Sequence, residues 1–102
     1  MATYRGESEP MIKTFAHKGL EDFFFDDSKR GIQPKHAPKI GDILDLLDAA
    51  VKAEDMNFPG SGLHQLKGDR NGEWAVKVSG NWRITFTFSE GHAYGVNLED
   101  YH

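Results

Sequence analysis

A chain of 102 residues that is 38% hydrophobic and 12% aromatic can build one modest core, and so one domain. The absence of cysteine excludes a disulfide framework and a thiolate metal site, and fits a reducing compartment. A formal charge of -4 argues against a general nucleic-acid binder, and no apolar run approaches the roughly 18 residues of a membrane span, so a cytoplasmic protein without membrane contact is expected.

Residues 1–10, MATYRGESEP, carry no hydrophobic period and are expected to be a disordered leader or an added extension, with the domain running from 11 to 102. MIKTF (11–15) alternates and reads as a short edge strand, with Met11, Lys13 and Phe15 on one face and Ile12 and Thr14 on the other. Leu20, Phe23, Phe24 and Asp27 fall at helical spacing, which predicts a short helix over 18–27. Gly31 and Pro34 then break it. From Pro38, the residues Ile40, Ile43, Leu44, Leu47, Ala50 and Val51 repeat at the period of an amphipathic helix, with Asp42 and Asp45 on its wet face. Proline costs nothing in a first turn. NFPGSG (57–62) is a loop.

After the loop the period changes to two. Trp74, Val76 and Val78 alternate with Ala75, Lys77 and Ser79. Trp82, Ile84, Phe86 and Phe88 alternate with Arg83, Thr85, Thr87 and Ser89. Tyr94, Val96 and Leu98 alternate with Ala93, Gly95 and Asn97. Gly80-Asn81 and Glu90-Gly91 make the turns, so three antiparallel strands form a meander with one apolar face for the helices. The expected architecture is α+β: a short strand, two helices, then the meander packed on them.

The opposite sheet face is polar and carries Lys77, Arg83, Thr85, Thr87 and Asn97. Residues 63–92 hold four Lys/Arg against three Asp/Glu, whereas residues 11–62 hold seven against nine, so only this second region is locally basic. The loop LHQLKGDRNGEW (63–74) adds His64, Lys67 and Arg70, and the chain ends in Asp100, Tyr101 and His102. Each alone is an ordinary surface or structural residue. Together they are two imidazoles, three cations, a phenol and a carboxylate once Arg83 is counted. His64, His92 and His102 match no metal-ligand spacing, so neither a metal nor another cofactor is expected. Such a group suits phosphodiester transfer in RNA. The 2′-OH must lose a proton, the phosphorane needs cations, and the leaving 5′-oxygen must gain a proton. The residues leave open which imidazole is base and which is acid.

Three motifs, L-H-x-L-K-G-D-R (63–70), N-W-R-I-T-F (81–86) and the terminal N-x-E-D-Y-H (97–102), together with the opening MIKTFAHKGLEDFF (11–24), resemble the HigB branch of the RelE-like toxins over residues 11–102. The resemblance implies a microbial-RNase-like fold and a toxin of a type II toxin–antitoxin module. It implies an endoribonuclease that cuts mRNA in the A site of the 30S ribosomal subunit without a metal. A HigA-type helix-turn-helix antitoxin would neutralise it and link it indirectly to operator DNA. Residue by residue, His64, Asp100, Tyr101 and His102 match the family's catalytic group, and Lys67 and Arg83 its phosphate-handling cations. Arg70 is a further candidate for RNA. The tail beyond the last strand is then expected to fold back, bringing Tyr101 and His102 to His64, Lys67 and Arg83 around one phosphate. Such toxins are often basic, and this chain is acidic, so weak ribosome binding and mild toxicity are expected. With one carboxylate in the group, ribosome assistance is favoured over free RNase action. The alternative is an antitoxin-binding, operon-regulating protein whose nuclease activity is vestigial.

Overall fold

The structure, a computed structural model, describes residues 12–100; the expected leader, Met11, Tyr101 and His102 lie outside them. Two helices, α1 (Lys18–Asp26) and α2 (Ala37–Ala49), precede four strands: β1 (His64–Gln65), β2 (Glu73–Ser79), β3 (Trp82–Ser89) and β4 (His92–Asp100). The strands form one antiparallel sheet in the order β1-β2-β3-β4, and the helices share one core with its apolar face. This is the α+β arrangement that the change of period predicts.

Local chemistry sets the helix ends. The Nδ1 of His17 accepts the Leu20 N–H at 3.1 Å and caps α1, while Asp27 closes it in the left-handed region (φ 60°). Gly31 crosses α1 backbone to backbone. A Cβ on Gly19 would lie 2.6 Å from the Gly31 carbonyl oxygen, so the crossing has room only for glycine. Pro38 sits in the first turn of α2, whose Ile40, Ile43, Leu44 and Leu47 are fully buried. Burying each such side chain contributes about 1.5–3 kcal/mol. Val51 departs from the expected apolar stripe and is 64% exposed. The reason is the backbone: Ala50 turns extended (ψ 147°), and the Asp55 carboxylate takes the N–H groups of Val51 and Lys52 at 2.9 and 3.3 Å.

Residues 12–16 run parallel to β4 but meet it only at two isolated bridges, Ile12 with Ala93 and Phe15 with Val96. Hydrogen bonds from Lys13 N–H to Ala93 O (2.7 Å) and from Ala16 N–H to Val96 O (2.8 Å) hold the segment there. Ile12 is buried and Phe15 packs at the core edge, which overturns the assignment of these two residues to opposite faces.

The break in that segment mirrors a bulge in β4. Thr85 pairs with Asn97, but Thr87 pairs with Tyr94, so β4 spends one more residue than β3 over this stretch. Gly95 (φ 61°) supplies the required backbone. The bulge inverts the expected phase at the start of β4. Val96 stays in the core, Ala93 takes the next inward place at zero exposure, and Tyr94 moves beside Thr87 on the polar face. On that face Ala75 and Thr85 are also buried, contrary to the expectation of a solvated surface, because Arg70 and Glu99 join across them.

Candidate active site

Strand β1 is only two residues long, yet it places His64 opposite Ala75 of β2. Ala75 in turn faces Thr85, and Thr85 faces Asn97, so one row of the polar face reads His64, Ala75, Thr85, Asn97. The adjoining row is Lys77, Arg83, Glu99. Paired residues lie on the same side of a sheet, so these side chains share one surface.

The His64 ring is oriented from both nitrogens. Nδ1 lies 2.9 Å from the Gly62 carbonyl oxygen, which can only accept, so Nδ1 carries the proton. The Nε2 lone pair therefore points outward and receives a hydrogen from Arg83 Nη1 at 3.4 Å. Lys67 begins the short turn Gly68–Arg70 and faces the same space. His64, Lys67, Arg70, Arg83 and Glu99 line a cavity of about 390 Å³. The structure thus brings together His64 and all three candidate cations.

Two carboxylates join them that the sequence reading did not place. Arg70 donates to Glu99 through Nη1 (2.7 Å) and Nη2 (2.5 Å), and to Glu73 through Nη2 (2.6 Å) and Nε (3.3 Å). Thr85 Oγ1 (2.8 Å) and Asn97 Nδ2 (3.3 Å) also donate to Glu99. The expectation of a single carboxylate is corrected accordingly. Extending the Asn97 face by one period-two step reaches Glu99, and that was the available signal. Asp100 is exposed at the end of β4, paired across from Trp82 and one residue past Glu99. The expected fold-back of Tyr101 and His102 lies outside the described residues.

Hydrogen bonds from Arg70 hold the Glu99 carboxyl below its usual range, with Thr85 and Asn97 adding to the effect and partial burial opposing it. The Arg70 guanidinium is raised further above its ordinary value by Glu99 first and Glu73 second. The depressed Glu99 carboxyl contributes stability that is complete above its unfolded value of 4.5 and is lost as pH falls through the lower folded one. Acid unfolding followed by circular dichroism should therefore be steeper below pH 4.5 in the wild-type chain than in Glu99→Gln. Superimposable acid limbs would contradict this.

Among the described residues, no helix is long and apolar enough to cross a membrane. A family model described as the RelE-like toxin of type II toxin–antitoxin system HigB matches residues 13–102. The chain is 45% identical over 92 residues to Endoribonuclease HigB of Proteus vulgaris, covering 90% of this chain and all of that protein. It is 29% identical over 91 residues to Toxin HigB-1 of Vibrio cholerae, covering 87% of this chain and 96% of that one. With a family model spanning nearly the whole chain and a full-length relative agreeing, this protein belongs to the HigB family of RelE-like toxins of type II toxin–antitoxin systems.

Proposed function

We propose that the chain is an endoribonuclease that inhibits translation by cutting mRNA in the ribosomal A site, without a metal, and that a HigA-type antitoxin holds it inactive. The observation carrying this reading is the oriented His64, its Nε2 turned toward Arg83 in a cavity that Lys67 also lines. The relative named an endoribonuclease shares 45% of its residues with this chain, which supports it.

In this reading the RNA 2′-OH gives its proton to His64 Nε2 as its oxygen bonds to phosphorus. Arg83 and Lys67 stabilise the charge that builds on the phosphorane. The P–O5′ bond breaks, and the departing oxygen takes a proton from His102 or Tyr101 of the tail, with Asp100 orienting that tail. The products are a 2′,3′-cyclic phosphate and a 5′-hydroxyl. The net charge of -4 gives little long-range attraction to RNA, so the ribosome supplies the positioning. The antitoxin links the toxin to operator DNA.

Sequencing 5′ ends of RNA after induction in cells lacking the antitoxin tests the reading. New 5′-hydroxyl ends inside translated frames, lost when ribosomes are cleared from the message beforehand, are expected. Intact messages, or ends spread equally over untranslated regions, would refute it.

A further inference from the structure

Arg70 faces the cavity as an RNA-binding cation would, but most of its donors are already committed. All three guanidinium nitrogens hydrogen-bond to carboxylates, and Glu99 lies 29 residues away in sequence. With two carboxylates, the trio carries a net negative charge and offers a phosphate no attraction. A bidentate pair on a flat guanidinium fixes direction as well as distance. What it fixes here is specific. Arg70 belongs to the loop 66–72, which follows His64 and contains Lys67. Glu99 directly precedes Asp100, and Thr85 of β3, itself buried, holds the same carboxylate. Glu73 anchors the group to the start of β2.

We propose that Arg70 and Glu99 are positioning residues: their fork braces the loop bearing Lys67, beside His64, to Glu99 of β4, the strand partner of Arg83. The brace makes no contact with RNA and acts through the spacing of the groups that do. The role in catalysis rests on the ribonuclease reading above, whereas the brace itself can be observed in the free protein.

The test uses Glu99→Gln, Arg70→Gln and Arg70→Lys in the full chain. In each, kcat on ribosome-bound mRNA should fall about 10- to 100-fold with KM within about twofold, because small misplacements of reacting groups cost this much. The salt slope of binding to a short single-stranded RNA should be unchanged in Arg70→Gln, whereas a lost phosphate contact would lower it by about 0.7. Arg70→Lys keeps the charge but not the fork, and should not rescue the rate. In the free protein, the amides of Leu66, Arg70 and Asn71, all hydrogen-bonded within or beside this loop, should exchange faster in Glu99→Gln while those of β3 keep their protection. Unchanged exchange in the loop, a reduced salt slope, or full rescue by Arg70→Lys would each overturn the brace. A wild-type chain that cuts no message would instead refute the ribonuclease reading and leave the exchange result to decide the brace alone.

Discussion

Replacing His64 with alanine is expected to slow mRNA cleavage by about 10²- to 10⁴-fold, the range set by loss of a positioned acid or base. The expectation follows from the two ends of the ring. The Gly62 carbonyl fixes the proton on Nδ1, so Nε2 is the nitrogen available to a hydroxyl group. Its neighbour Arg83 donates to that nitrogen from Nη1 at 3.4 Å, so a cation stands beside it. His64 is exposed and lies on a two-residue strand, so its side chain contributes little to the core. The variant should therefore keep the wild-type thermal midpoint while losing activity. Single-turnover cleavage of ribosome-bound message measures the loss, and added imidazole should restore a part of it. A rate within fivefold of wild type would remove His64 from the chemistry and give the base role to His102.

The sequence makes some parts of this arrangement easy to read and hides others for physical reasons. The stripe Ile40, Ile43, Leu44, Leu47 and the alternation from Trp82 to Phe88 are long enough for periodicity to declare a helix and a strand, and both stand as expected. Periodicity fails where one residue changes the phase. Gly95 adds a residue to β4, so Tyr94 faces the polar side although its spacing from Val96 and Leu98 says otherwise. Val51 fails in a similar way, because Asp55 captures its N–H and ends the helical face one residue early. Strand β1 is too short to show any period, yet it places His64 on the polar face of the sheet opposite Ala75. Residue types grouped His64, Lys67, Arg70 and Arg83 with the terminal Asp-Tyr-His, and only the family resemblance set Lys67 and Arg83 apart from Arg70. Composition could not show that Arg70 would be claimed by Glu73 and Glu99. That pairing depends on a loop closing over Thr85 and on register between strands far apart in the chain.

Arg83→Ala is the second change with a large expected effect, a fall in kcat/KM of about 10²- to 10³-fold, comparable to losing one oriented donor to a developing oxyanion. Arg83 is the second residue of β3, paired with Lys77 of β2 and Glu99 of β4, so its backbone is fixed from both sides. Its Nη1 reaches Nε2 of His64, which places the guanidinium beside the position a phosphate would take if that nitrogen accepts the 2′-OH proton. Two consequences separate this cation from Arg70, which also borders the cavity. Removing Arg83 should reduce the salt slope of single-stranded RNA binding by about 0.7, because a phosphate contact is lost. Arg83→Lys should regain the slope but little of the rate, because an ammonium keeps the charge without the planar fork. An unchanged slope in Arg83→Ala would show that the guanidinium serves only to orient His64. The phosphorane would then depend on Lys67 and on the tail beyond Asp100.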